Sequence, residues 1–313
     1  MRQEQFFYPS AGGEAEIEAF VWSPDGEVRG VVQLVHGMLE HVNRYRELAE
    51  FLCAHGYAVG GNNHLGHGNS LIDGEPGYFG DERPLKTLLD DLDRMRKELS
   101  ARFPDKPHLM LGHSMGSFLT RLYLSDRADG LAGAVLSGTS GGNLAARWVG
   151  MPLAARFSTR YGATYRSATL DLLTTGGFNK KFDDKTSPHN WISSVPEEVA
   201  RYDADEQMHF MFTASATYAL FDLLSRVSSA QWARTLPRTL PLLLISGEDD
   251  PVGGFGRGVR AVARRLKKAG IEDLTLTLYP GKRHELLHES NREEVMGDLL
   301  KWLDRQTGSR LGE

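Results

Sequence analysis

Short, nearly continuous apolar runs alternate with amphipathic segments over much of this chain. The run Gly30–Val35 is rich in β-branched residues, which is typical of a strand buried on both faces of a sheet. In Leu85–Phe103, apolar residues recur at helical spacing among charged ones, which predicts an amphipathic helix. The predicted strands are Phe6–Tyr8, Ala15–Trp22, Gly30–Val35, Tyr57–Val59, Leu109–Leu111, Leu131–Leu136, Leu240–Ser246 and Leu274–Tyr279. Because helices separate most of these strands, the pattern predicts βαβ units and a mostly parallel sheet.

The alternation of strands and helices stops between Gly138 and about Leu240. The intervening segment shows helical patterns and no convincing strand, and it is rich in methionine and aromatic residues. This change predicts a core made of residues 1–138 and 240–313, with residues 139–239 inserted as a helical cap over the sheet. Most of the methionine and aromatic side chains are expected to pack inside the cap itself.

Composition adds little to the fold but excludes some partners. The formal net charge is −5 without a basic block, so nothing favours nucleic-acid binding. Cys53 is the only cysteine, which excludes an internal disulfide and favours a reducing compartment. Neither a signal-peptide core nor an apolar run near the ~18 residues of a membrane span is present. We therefore expect a soluble cytoplasmic protein of undetermined oligomeric state. Residues 145–153 combine Trp and Arg, which is typical of transient membrane-surface contact through the cap, and packing within the cap is the alternative explanation.

A Gly-x-Ser-x-Gly motif links one predicted strand to the helix that follows it. The motif runs from Gly112 to Gly116 and places Ser114 at the tip of the turn. Glycine at both ends lets strand and helix approach more closely than a Cβ would allow. The hydroxyl of Ser114 is then exposed, and the backbone N–H of Met115 lies at a helix N-terminus, where it can donate to a developing oxyanion.

Two later strand ends carry the partners that a serine nucleophile needs. Parallel strands end at the same edge of a sheet, and the chain places Ser, Asp and His at three such ends in that order. The histidine serves as the base, and the carboxylate fixes its tautomer. Asp249 and Asp250 are both candidates for the acid, and His284 and His288 are both candidates for the base.

A metal site is a second explanation for the polar residues near two strand ends. His36, His41, His64 and His67 occupy two loops that follow predicted strands. They lack both a set of carboxylate partners and the His-Glu-x-x-His spacing of a hydrolytic zinc site. We therefore expect no metal and no cofactor.

These motifs together resemble the α/β-hydrolase family, and within it the monoacylglycerol lipase and lysophospholipase group of serine aminopeptidase S33-like hydrolases. The segments that carry the resemblance are 36–41, 63–70, 112–116, 247–252 and 284–289, with a looser match in the cap at 190–193 and 202–212. The resemblance implies an eight-stranded, mostly parallel sheet with helices on both faces and a helical cap inserted after the sixth strand. The chain departs from the group at Asn63, where Asp is usual, and at the bulky pair Met38-Leu39.

The resemblance also implies a role for individual residues. Ser114 would be the nucleophile, Asp250 the orienting acid and His284 the base. The resemblance therefore favours Asp250 over Asp249 and His284 over His288. The backbone N–H groups of Met38 and Met115 would form the oxyanion hole. The loop histidines would be structural supports for that hole.

The leading functional hypothesis is a serine carboxylic-ester hydrolase that cleaves a single-chain lipid ester, either a monoacylglycerol or a lysophospholipid. The cap would supply an apolar pocket for the acyl chain, with Leu39, Met208, Met211 and Phe212 as candidate substrate-binding residues. An aminopeptidase or amidase on the same fold is the alternative enzyme, because fold does not determine substrate. A catalytically silent receptor is a third hypothesis, although such a protein has no need of all three catalytic residues.

Overall fold

The computed structural model describes residues 1–142, 146–182 and 186–308. One eight-stranded sheet runs through the molecule, with the strand order β1-β2-β4-β3-β5-β6-β7-β8. The first two strands are antiparallel to their neighbours, and all later pairs are parallel. The strands are β1 Arg2–Pro9, β2 Glu16–Ser23, β3 Gly30–Val35, β4 Tyr57–Asn62, β5 His108–His113, β6 Leu131–Ser137, β7 Leu242–Gly247 and β8 Leu274–Tyr279. The predicted fold class, a mostly parallel eight-stranded α/β sheet, is confirmed.

Helices cover both faces of the sheet because strand side chains alternate between the two. In β3, Val31 and Val35 belong to one hydrophobic core, whereas Val32 and Leu34 belong to the other. Helices α2 and α9 pack on the first face, and α1 and α10 on the second. The helices are α1 Arg46–Ala54, α2 Pro84–Arg102, α3 Met115–Tyr123, α4 Met151–Tyr161, α5 Ala168–Thr174, α6 Pro196–Asp203, α7 Ala214–Val227, α8 Ala230–Ala233, α9 Arg257–Ala269 and α10 Arg292–Gln306.

Several predicted strand bounds are wrong by a few residues. The clearest case is β4, which continues past Val59 through two glycines to Asn62. The glycines permit close packing within the sheet and do not begin a loop. A Cβ at Gly60 would lie 2.7 Å from the Leu99 side chain, and one at Gly61 would lie 2.8 Å from the carbonyl oxygen of Leu34. The glycine-rich loop therefore begins at Asn63 rather than at Gly60.

The segment between β6 and β7 contains helices α4 to α8, and its described residues form no strand. Part of it has a small core of its own, formed by Ala154, Leu170, Ala214 and Phe221. The division into a core and an inserted cap at residues 138 and 240 stays a prediction. Residues 143–145 and 183–185 of the segment lie outside the described residues, and so does the start of the interfacial mixture predicted at 145–153. No helix among the described residues is long and apolar enough to cross a membrane.

Candidate active site

The turn between β5 and α3 holds Ser114 in a strained backbone conformation. Its φ is 50° and its ψ is −120°, a combination that residues other than glycine rarely adopt. A Cβ at Gly116 would lie 1.9 Å from the carbonyl oxygen of Val35, and one at Gly112 would lie 2.4 Å from Thr120 Oγ1. The motif glycines are therefore required by close approach, as the sequence predicts. The strain places the Ser114 side chain at the wall of a cavity.

The loops after β7 and β8 bring Asp250 and His284 together. Asp250 Oδ1 lies 3.0 Å from His284 Nδ1, and both side chains are buried. The backbone N–H of Val252 and the hydroxyl of Ser246 donate to the same carboxylate at 2.8 and 3.1 Å. Burial alone would raise the pKa of Asp250, but the nearby imidazole of His284 and these hydrogen bonds hold that pKa below its ordinary value.

The two competing candidates lie elsewhere. Asp249 is exposed to solvent. His288 Nδ1 lies 3.0 Å from Glu285 Oε2, in an ion-pair cluster with Arg44. The structure therefore assembles Asp250 with His284 and assembles neither of their neighbours with them.

The ring of His284 lies at the wall of the same cavity as Ser114. It lies between the rings of His113 and Trp191, at centroid distances of 4.7 and 5.1 Å. Its Nδ1 faces Asp250, and its Nε2 has no hydrogen-bond partner among the described residues. With Nδ1 carrying the proton, Nε2 is the nitrogen able to accept a proton from a nucleophile.

Two backbone amides beside Ser114 are available to a ligand. The N–H groups of Met38 and Met115 donate to no other described residue, and both residues line the cavity. The Met115 amide is the first of helix α3, so it lacks an intrahelical acceptor. Leu39 also lines the cavity and has a φ of 56°, in the left-handed region. Amides in this position can stabilise an oxyanion.

Buried Glu40 connects the loop of Met38 to the nucleophile turn. Its carboxylate accepts hydrogen bonds from the Gly37 backbone N–H and from the Tyr45 hydroxyl, and it lies 2.8 Å from His113 Nδ1. Burial alone would lower the pKa of His113, but the carboxylate of Glu40 raises that pKa above its ordinary value. Sequence reasoning missed this link, because 73 residues separate the two partners.

Three of the loop histidines form a buried cluster behind the same loop. The backbone N–H of His64 donates to His36 Nε2 at 2.9 Å, and the ring centroids of His36 and His64 lie 4.0 Å apart. The ring of His67 lies among phenylalanines that include Phe79 and Phe210. No group of three or more His, Cys, Asp or Glu within the described ranges could hold a metal ion. The fourth loop histidine, His41, lies 3.0 Å from Asp205.

Acid should destabilise the protein through this histidine cluster. Burial, the largest cause, lowers the pKa of His64 to about 4 and that of His67 to about 3. When the pH falls below about 6.5, the ordinary pKa of histidine, these two rings bind protons in the unfolded chain but not in the folded chain. Each ring should lower the unfolding free energy by about 2 kcal/mol when the pH is reduced from 8 to 5. Urea unfolding at the two pH values measures this loss.

A variant separates this effect from groups that oppose it. The pKa values of Asp91 and His113 are raised, so these groups favour the folded state as pH falls. Replacing His67 by Phe should therefore reduce the difference in unfolding free energy between pH 8 and pH 5 by about 2 kcal/mol. The same change at exposed His209 should leave the difference unaltered. Equal pH dependence in wild type and His67→Phe would contradict the account.

The cavity beside Ser114 has a volume of about 710 Å³. Helices α3 and α7 and the turn before α4 supply an apolar wall, formed by Phe118, Val149, Gly150, Leu220, Phe221 and Leu224. Other lining residues are polar, namely Glu40, His113, His189, Tyr202 and Glu285. A cavity with both apolar and polar lining residues suits an amphiphilic ligand.

Of the predicted substrate-binding residues, Leu39 lies at the cavity and the other three do not. Met208 packs in a separate small cluster with Ile192 and Tyr202. Phe212 packs edge-to-face on Phe79, and Met211 is exposed to solvent. The residues of α7 that line the apolar wall were missed. The helical spacing of Phe221 and Leu224 in an apolar segment predicts a buried helix face, but it does not show that this face lines a cavity.

The chain is similar to known proteins in both sequence and structure. Residues 26–291 match the family model Hydrolase_4, described as serine aminopeptidase S33. The chain is 29% identical to a monoacylglycerol lipase from Mycolicibacterium smegmatis, over 93% of this chain and 94% of that protein. It is 27% identical to the monoglyceride lipase of Homo sapiens, over 92% of this chain and 86% of that protein. A solved structure of a thermostable carboxyl esterase from Bacillus coagulans superposes with a TM-score of 0.92 at 29% identity, covering 98% of this chain and 99% of that one.

Proposed function

This chain belongs to the serine aminopeptidase S33 family and has the α/β-hydrolase fold, and on that premise we propose that it cleaves single-chain lipid esters through an acyl-enzyme on Ser114. It is a hydrolase of the esterase and lipase type. The proposed substrates are monoacylglycerols or lysophospholipids. The catalytic residues are Ser114, Asp250 and His284, with the amides of Met38 and Met115 as the oxyanion hole.

One observation carries this proposal: a single cavity joins the polar reacting groups to an apolar wall. His284 Nε2 takes the proton of Ser114 as the hydroxyl attacks the ester carbonyl. The amides of Met38 and Met115 donate to the resulting oxyanion. The imidazolium then protonates the leaving alcohol, and water repeats the sequence on the acyl-enzyme to release the fatty acid.

The walls of the cavity favour a lipid over a peptide. Phe221, Leu224 and their neighbours can bury an acyl chain, at about 0.8 kcal/mol for each methylene. An aminopeptidase needs a carboxylate that is available to a substrate amine. Glu40 already accepts three hydrogen bonds, and Glu285 is paired with Arg44. The names of the relatives, among them monoacylglycerol lipases, support the same substrate class.

We expect kcat/KM to rise several-fold for every two carbons across a series of monoacylglycerols, and to fall once the apolar wall is fully covered. Replacing Leu224 by Asp should flatten this rise, because a carboxylate in the wall opposes burial of the chain. The same change at exposed Met211, which lies outside the cavity, is the matched control and should preserve the rise. A flat series in the wild type, with faster cleavage of an aminoacyl anilide, would instead support the peptidase hypothesis.

Contact with a membrane surface stays a prediction. Exposed Trp148, Val149, Leu172 and Leu173 are the apolar side chains that support it, and three of the four, Val149, Leu172 and Leu173, also line the cavity. Co-sedimentation with lipid vesicles tests it, and recovery of the protein entirely in the supernatant would contradict it.

A further inference from the structure

A second histidine–aspartate pair contributes one residue, His189, to the lining of the cavity, and the proposed acyl transfer makes no use of it. His189 Nδ1 lies 2.6 Å from Asp203 Oδ1. His189 lines the cavity, whereas Asp203 is the last residue of helix α6. Both side chains are about one-third exposed or less, at 28% and 33%. The pair belongs to the segment between β6 and β7, whereas Ser114, Asp250 and His284 follow strands of the sheet.

The backbone around His189 is held on both sides. Its own N–H donates to Ser187 Oγ at 2.9 Å, and its carbonyl accepts the N–H of Ile192 at 3.0 Å. Asn179 spans the loop, donating to the Ser187 carbonyl and accepting the N–H of Trp191. The ring of Trp191 in turn contacts the ring of catalytic His284. This scaffold places the His189 imidazole at a set position relative to the reacting groups.

Asp203 determines which nitrogen of His189 is available. A carboxylate at 2.6 Å from Nδ1 requires the proton on that atom, which leaves Nε2 as a hydrogen-bond acceptor in the neutral ring. Nε2 has no hydrogen-bond partner within the part of the chain that the structure describes. Two other polar side chains that line the cavity already have hydrogen-bond or ion-pair partners. Tyr202 donates to the Leu39 carbonyl, and Glu285 is paired with Arg44.

We propose that His189, oriented by Asp203, binds the leaving alcohol of the substrate by accepting a hydrogen bond from one of its free hydroxyl groups. This inference rests on the proposed function and adds the recognition of the head group to it. An acyl chain carries no donor, so the selectivity concerns the alcohol alone. Esters of polyols would be preferred over esters of simple alcohols with the same acyl chain. His189 acts as a positioning residue for the alcohol and takes no part in proton transfer.

The test compares a 1-monoacylglycerol with the ethyl ester of the same fatty acid, which lacks a free hydroxyl. Replacing His189 by Phe keeps a planar ring and removes the acceptor. We expect this variant to lose up to about tenfold in kcat/KM on the monoacylglycerol, mostly through KM, and to retain its activity on the ethyl ester. His189→Gln, whose carbonyl oxygen can reach the position of Nε2, should recover part of the loss. His209→Phe, at an exposed histidine outside the cavity, is the matched control and should leave kcat/KM unchanged on both substrates.

The outcomes separate this inference from the function on which it rests. A wild type that cleaves neither ester, or prefers an aminoacyl anilide, contradicts the proposed function. A wild type that prefers the monoacylglycerol, with a His189→Phe variant that keeps the full preference, contradicts only the role of His189. Equal losses on both substrates in His189→Phe also contradict that role, since they show general damage to the site. Thermal unfolding of each variant establishes that the chain is folded in every comparison.

Discussion

Replacing Asp250 by Asn is expected to lower kcat about 10⁴-fold, the size of effect that the wrong histidine tautomer causes in serine proteases. The carboxylate lies 3.0 Å from His284 Nδ1 and requires a proton there. An amide group can donate to Nδ1 instead, which moves the ring proton to Nε2. That nitrogen then cannot accept the proton of Ser114. Steady-state hydrolysis of a monoacylglycerol or a p-nitrophenyl ester measures the loss.

The neighbouring acid supplies a matched control for this prediction. Asp249 has the same side chain but is exposed, and among the described residues only its backbone N–H is engaged, by the Lys282 carbonyl. Asp249→Asn should therefore change kcat by no more than about twofold. A larger loss in Asp249→Asn than in Asp250→Asn would show that the assignment of the acid is wrong. Similar melting temperatures in the two variants would exclude unfolding as the cause.

Replacing Ser114 by Ala is expected to lower kcat about 10⁶-fold, because the proposed acyl-enzyme forms on the Ser114 hydroxyl. The unfolding free energy should change by less than about 0.5 kcal/mol. Alanine keeps the Cβ of serine, so the strained turn at a φ of 50° is unaltered. The lost hydroxyl makes no hydrogen bond to another described residue. Urea unfolding and initial rates on one preparation measure both quantities.

Two results would contradict this second prediction. Activity in Ser114→Ala within about a hundredfold of wild type would show that water or another nucleophile attacks the ester directly. A large loss of stability would show that the Ser114 hydroxyl has a structural role that its surroundings do not indicate. A nearby serine provides the control, since Ser140 also lines the cavity and Ser140→Ala should retain the acyl-enzyme chemistry.

Much of the fold follows from local patterns in the sequence. Strands buried on both faces appear as continuous apolar runs, and β3 has the bounds that such a run predicts. The half-buried strand β8 also has its predicted bounds. The nucleophile turn is only partly local. Gly112 is needed where the end of β5 approaches α3, whereas Gly116 is needed by the close approach of the Val35 carbonyl oxygen in β3. The end of β4 was mispredicted for a related reason. Glycine there permits close packing of neighbouring side chains, a requirement that its own sequence context does not show.

The walls of the site depend on contacts between distant parts of the chain, which periodicity does not reveal. Met211 and Phe212 belong to an apolar stretch that predicts a substrate pocket, yet Phe212 packs on Phe79 and Met211 is exposed. Helix α7 lines the cavity because of the face that it turns toward α3, and sequence alone does not identify that face. The pairs of His113 with Glu40 and of His189 with Asp203 likewise arise only when separate segments fold together.

Covalent labelling tests the central claim, nucleophilic catalysis by Ser114, most directly. The purified chain is treated with a fluorophosphonate, which modifies activated serines, and its intact mass and proteolytic peptides are measured. The account predicts one adduct per chain, on the peptide that contains Ser114, and none in Ser114→Ala. Asp250→Asn should react much more slowly, because His284 no longer accepts the serine proton. An adduct on a different residue, or equal labelling of wild type and Ser114→Ala, would contradict it.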